Sequence, residues 1–205
     1  VEGGELRSTA SNNGGIQMSN FGGITVSGGV VDISDSRAAV SSGIRFGNVP
    51  TTAGSFHVVG SDPSISLEAI TFDTSGNPDF EFTFDSLGVS VVAVTDQMDL
   101  SSPTLTSTLI LNEGTLLTQP TEISLFDLEN GVLGEFDSVV TNAGTFAGTE
   151  GTLVSFTGLE LPYILSYQLG DSGTDIGLVL VPEPTSLLLL LGSAAAMASR
   201  RRRRL

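Results

Sequence analysis

The chain has 205 residues, 23 of them acidic, with no lysine, no cysteine and a single histidine, His57. Over residues 1–181 only Arg7, Arg37 and Arg45 oppose twenty-two carboxylates, which leaves that stretch at −19 and excludes electrostatic binding of nucleic acid, since phosphate contact needs Lys and Arg. Without cysteine the chain forms no disulfide, and one histidine does not make a zinc site. Such an acidic balance suits a soluble surface that resists self-association, or one that collects divalent cations.

The first twenty residues are small and polar, with glycine pairs at Gly3-Gly4 and Gly14-Gly15. They bury little alone, so order there is expected only if they stack on other repeats. From Phe21 onward short β-branched runs alternate with polar residues. Ile24 and Val26 precede Gly28-Gly29, and Val31 and Ile33 follow it. Runs of this kind, bounded by glycine pairs, predict strands joined by tight turns. The pattern continues with Ile44 and Phe46, with Phe56 and Val58, and with a strand pair over residues 65–72.

The clearest strand is FEFTF, in which Phe80, Phe82 and Phe84 share one face while Glu81 and Thr83 share the other. Residues 90–94, SVVAV, read as a continuously buried strand. Further strands are expected over residues 105–111, 123–128, 136–140, 153–156, 163–169 and 176–181, separated by Gly, Asn and Thr. In residues 163–169 the alternation puts Tyr163, Leu165, Tyr167 and Leu169 on one side. No stretch before residue 182 sustains a 3.6-residue apolar period, so the predicted class is all-β. Strands spaced at about ten residues suit a β-sandwich or jelly roll. Glycine-pair turns and Ser/Thr-rich repeats suit a parallel β-helix, in which each rung covers the edge of the last.

Little of this stretch carries chemistry. His57 lies between Phe56 and Val58 and alternates out of the apolar face of a strand. No G-x-S-x-G occurs, so a nucleophilic triad lacks its strained turn, and neither Gly-rich phosphate cradle is present. Asp79 with Glu81, or Asp96 with Asp99, stand close enough in sequence to form the carboxylate pair of a glycosidase. An acidic β protein supplies such pairs without catalysis, and no acid has a visible reason for a raised pKa. For calcium, the candidates are Asp73 and Asp79, in DTSGNPD, and Asp171 and Asp175, in GDSGTDIGL. The first lacks EF-hand spacing and the second matches a calcium-binding nonapeptide only in part. Both read more simply as turns, and no cofactor is expected.

The C-terminus changes character. Pro182, Glu183 and Pro184 form a stiff extended break. An apolar run follows, Leu187, Leu188, Leu189, Leu190, Leu191, Ala194, Ala195, Ala196, Met197 and Ala198, interrupted by Gly192 and Ser193. Arg200, Arg201, Arg202, Arg203 and Arg204 then make an unbroken basic cluster. An apolar run flanked by arginine is a membrane-topology signal whose basic side stays in the cytoplasm. As a helix, residues 185–199 span only about 22 Å at 1.5 Å per residue, against a hydrocarbon core about 30 Å thick. They would thread the membrane only with local thinning and snorkelling arginines, which fits a processed tail better than a permanent anchor.

Motif, apolar run and arginine cluster at the extreme C-terminus resemble the PEP-CTERM sorting tail of exported bacterial proteins. The resemblance implies recognition by an exosortase-type membrane transpeptidase, cleavage near Pro-Glu-Pro, and transfer from the inner membrane to the cell envelope or extracellular matrix. GGITVSGGVVDIS, SGIRFGN and GSFHVVGSDPSIS, followed by FTFDSLGVSVVAV, LILNEGTLL, ISLFDL, GEFDSV and LSYQLGDSGTDIGLVL, resemble the repeats and terminal rungs of autotransporter-like β-solenoids that carry the same tail.

The resemblance tips the expected architecture to a right-handed parallel β-helix over residues 1–181, followed by a sorting tail over residues 182–205 with a short hydrophobic helix. Export requires a signal peptide and the chain opens on Val1, so an N-terminally incomplete sequence is expected. The expected role is non-enzymatic: an exported structural or surface protein of envelope, matrix or biofilm, in contact with exopolysaccharide. A carbohydrate-binding or adhesive module is the alternative, and a polysaccharide-degrading β-helix enzyme the second.

Overall fold

The computed structural model describes residues 5–7, 16–18, 23–33, 43–46, 55–72, 78–96, 98–101, 106–115, 119–171 and 173–182. These residues are all-β, with nineteen strands and no helix among them. The strands fall into three open sheets that the chain visits in turn. The first sheet takes β1 (Glu5–Arg7), β4 (Val30–Ile33), β7 (Ser64–Leu67), β10 (Val92–Val94) and β13 (Glu122–Leu128). The second takes β2 (Ile16–Met18), β5 (Gly43–Phe46), β8 (Ala69–Phe72), β11 (Met98–Asp99) and β14 (Val132–Leu133). The third takes β3 (Gly23–Val26), β6 (Ser55–Val59), β9 (Asp79–Thr83), β12 (Thr108–Asn112) and β15 (Ser138–Thr141).

From β1 to β12 each strand pairs in parallel with the strand three places later, and within these fifteen strands no two chain neighbours pair with each other. An antiparallel sandwich needs the opposite pattern. The register follows from the period-2 alternation, because a one-residue slip would turn every apolar side chain outward. Ile24, Phe56, Phe80, Leu109 and Val139 stand in one column. Val31, Ile65, Val92 and Phe126 stand in another, and Ile44, Ile70, Met98 and Val132 in a third.

The described side chains of these columns belong to one core between the sheets. Phe80, Phe82, Val92, Leu109, Leu111 and Phe126 are fully buried. Phe126, from the first sheet, meets Phe80 and Phe82, from the third, edge to face at 5.7 and 5.3 Å between ring centroids. Phe136, between β14 and β15, closes on Phe80 at 5.7 Å. Edge-to-face pairs at such separations add to the gain from area burial, and tie the sheets into one core.

The last four strands abandon the parallel pattern. β16 (Gly144–Ala147) folds back antiparallel on β15. β17 (Leu153–Val154), β18 (Tyr163–Leu169) and β19 (Asp175–Leu180) extend the first sheet beyond β13 in the order β13-β19-β18-β17, all antiparallel. The final strand thus lies inside the sheet, flanked on both sides.

Several expectations need correction. The strands expected over residues 65–72 do not pair with one another: β7 and β8 turn a corner at Glu68 into different sheets. Residues 90–94 are not continuously buried. Ser90 is buried, Val91 is 36% exposed, and Val92 and Val94 are buried again, so the run alternates like its neighbours. The polar N-terminal residues contribute β1 and β2, in parallel register with β4 and β5.

Candidate functional site

The described residues before Pro-Glu-Pro end in β19, which is held on both sides. On one side the Leu180 N–H donates to Thr121 O at 2.9 Å; on the other the Val181 N–H donates to Pro162 O at 3.0 Å. Two further bonds join the flanking segments. Gln119 Nε2 donates to Leu161 O at 2.8 Å, and the Tyr163 hydroxyl donates to Pro120 O at 3.1 Å. Burial pushes the Tyr163 phenol above its ordinary value, so it stays a neutral donor. The next residue, Pro182, is exposed and has no N–H to continue the ladder. The first proline of Pro-Glu-Pro therefore stands at the end of the described residues, one past Val181, the last of them to donate a ladder bond.

The carboxylates singled out in the sequence scatter. Asp79 is half-buried on β9; burial raises its pKa, the Thr108 hydroxyl works against that shift, and the Glu81 charge adds to it. Glu81 accepts a hydrogen bond from Asn112 Nδ2 at 2.7 Å and lies 3.6 Å from His57 Nδ1. His57 Nε2 meets Thr83 Oγ1 at 2.9 Å, so the histidine is half-buried and engaged. Asp96 is exposed, and Asp99 accepts from the backbone N–H and hydroxyl of Ser101 at 2.9 and 2.6 Å.

Asp171 is exposed, whereas Asp175 is buried and accepts the Leu128 N–H at 3.0 Å. Asp175 also lies against the Gly170 turn: a Cβ on Gly170, whose φ is +73°, would collide with its Oδ2. Among the described residues no three His, Cys, Asp or Glu side chains form a group able to hold a metal ion. Asp73 lies outside the described residues.

Two constellations escaped the sequence reading. Asp85 accepts four bonds, from the Ser61 N–H and hydroxyl at 2.7 and 2.8 Å and from the Leu87 and Gly88 N–H groups at 2.7 and 3.0 Å. Desolvation pushes this carboxyl up, but the four bonds together outweigh it and hold its pKa below the ordinary value. Glu135 and Glu150 line a depression of ≈ 380 Å³ with Asn130, Gln168 and Thr174. Glu135 accepts the Glu150 N–H at 2.9 Å, and Glu150 accepts the Tyr167 N–H. Beneath them the buried Tyr167 hydroxyl accepts the Phe136 N–H at 2.8 Å and donates to Gly148 O. Burial pushes this phenol far up. Ser61, Glu150 and Tyr167 stand far along the chain from the acids they meet, whereas the Leu87 and Gly88 N–H groups close a local turn on Asp85 that the sequence reading passed over.

Residues 180–204 match the PEP-CTERM protein-sorting motif. The PEP-CTERM motif implies an exported protein that an exosortase, itself a membrane protein, recognises and that is processed at the membrane. The match begins at Leu180, the last residue of β19, so the motif overlaps the end of that strand. No curated protein matches the chain, and no solved structure does. Glu183, Pro184, the apolar run and the arginine cluster lie outside the described residues, and so does the short helix expected there. Among the described residues no helix is long and apolar enough to cross a membrane.

Proposed function

We propose that this chain is a non-enzymatic structural protein of the cell envelope or extracellular matrix, delivered there by exosortase processing of its PEP-CTERM tail. The observation that carries the reading is the position of Pro182, exposed and one residue beyond the last ladder bond. A cut near Pro-Glu-Pro then releases the tail without removing any strand. On this reading the body is a right-handed parallel β-solenoid. Pairing at an interval of three strands supports it, as does the strong right-handed preference of connections between parallel strands. The antiparallel strands β16 to β19 act as its cap, covering an edge that would otherwise recruit further chains.

A structural role is supported by what the acids do. Asp85, Asp99, Glu135, Asp137, Glu150 and Asp175 each accept a backbone N–H. Carboxylates engaged in this way fasten turns and corners. The test is deletion of residues 183–205. The shortened protein keeps the unfolding midpoint of the full chain but is no longer retained in the envelope fraction. Retention without the tail would contradict the reading.

A second reading, adhesion to polysaccharide, is favoured by the polar depression at Asn130, Glu135, Glu150 and Gln168. It has little stacking surface, since Tyr167 is 8% exposed. Titration calorimetry against the native exopolysaccharide decides: no heat of binding removes this reading.

A further inference from the structure

We propose that the rim around the β19 exit is a docking surface for the membrane-embedded processing enzyme, and that the enzyme presents a cationic face to it. The inference rests on the sorting role proposed above. Its first support is reach. Residues 182–186 lie between Val181, whose N–H is held by Pro162 O, and the apolar run at Leu187, and five residues span at most about 18 Å when fully extended. The headgroup layer alone takes about 6 Å of that. The rim is therefore held against whatever lies at the membrane surface while the tail is threaded.

The second support is rigidity. The exit is bounded by four hydrogen bonds, from Leu180 to Thr121, Val181 to Pro162, Gln119 to Leu161 and Tyr163 to Pro120. β19 is paired on both sides. Lengthening the tether by unzipping the last strand would break both ladders at once, so the body meets the membrane surface folded.

The third support is charge. Glu122, paired with Val179 beside the exit, and Glu160, two residues before Pro162, are both exposed. No lysine or arginine occurs anywhere between residues 46 and 199, so nothing in this part of the chain offsets them. A bilayer carrying anionic lipids would repel such a rim. A protein surface bearing Arg or Lys attracts it, and complementary charge governs encounter rate and register more than final affinity.

The test is processing of the full-length precursor in membranes with and without its exosortase, followed by mass spectrometry over time. Combined Glu122→Arg and Glu160→Arg substitution is expected to slow tail removal about tenfold, and the paired Gln variants to slow it less. A ten-residue Gly/Ser spacer between Val181 and Pro182 is expected to bring the Arg variant back to the rate of the equally spaced wild type, because the rim then no longer reaches the enzyme. Unchanged processing of the Arg variant, alongside a block by Glu183→Ala, overturns the docking surface and leaves the sorting role standing. Equal association of wild type with exosortase-free anionic vesicles would assign the rim to lipid and overturn it as well. A wild-type precursor that never loses its tail overturns both.

Discussion

Asp85 shows how single acids earn their place in this chain. Its four bonds join the Ser61 corner to the loop at Leu87 and Gly88. Replacing it by Ala strands those donors, although the Leu87 N–H reaches water, so Asp85→Ala is expected to cost about 1–2 kcal/mol in urea unfolding. The folded pKa of Asp85 is lowered, so its contribution is present above the ordinary aspartate value of about 3.9 and is lost as pH falls through the folded pKa. Asp79 has the opposite sign. Its folded pKa is raised, so the folded state holds its proton longer than the unfolded chain, and the resulting penalty is relieved as pH falls from neutral through that folded pKa. Asp79→Asn should therefore raise the unfolding midpoint at neutral pH, while leaving it near the wild-type value at pH 3. Tyr167→Phe leaves the Phe136 N–H and Gly148 O without the hydroxyl that joins them, at an expected cost of about 1–3 kcal/mol.

At the scale of the element, β19 carries the most. It lies between β13 and β18, and at Gly177 the strands approach so closely that a Cβ would stand 2.2 Å from Ile123 O and 2.7 Å from Leu169 Cδ1. Gly177→Ala must push the strands apart and is expected to destabilise this end of the first sheet by about 2–3 kcal/mol. Hydrogen exchange would show the loss first in residues 163–180, with β6 and β9 still protected. The strands themselves were legible wherever apolar residues alternate, as at Phe80, Phe82 and Phe84, because the period of two belongs to the strand alone. Their partners were not legible, since pairing at an interval of three strands depends on how rungs stack across long separations. Residues 90–94 misled for a similar reason: Val91 and Ala93 are apolar but lie on the outer side, and composition does not reveal which side a sheet covers. Asp175 stood among the calcium candidates, in a segment that read more simply as a turn, because an aspartate among glycines looks the same whether it holds an ion or, as here, the Leu128 N–H.

For the molecule as a whole, the tail was the most legible part. Its three segments carry their physics in composition and order, and the motif match covers residues 180–204. What the sequence did not disclose is where that tail leaves the body, because the bonds from Leu180 and Val181 to Thr121 and Pro162 cross distant segments. The acidic charge also belongs to this scale. With no lysine or arginine between positions 46 and 199, repulsion among folded bodies keeps them apart at low ionic strength, and salt screens it over a Debye length of about 10 Å at 0.1 M. Light scattering is therefore expected to show more self-association as salt rises.

On the proposed function the folded body is released whole from a processed tail. The decisive measurement is intact-mass and C-terminal peptide mass spectrometry of the protein taken from its native envelope. The expected C-terminus lies at or near Pro182 to Pro184, with residues 187–205 missing and every strand through β19 retained. A mature protein that still ends in Leu205 would contradict it and leave the tail as a weak membrane anchor.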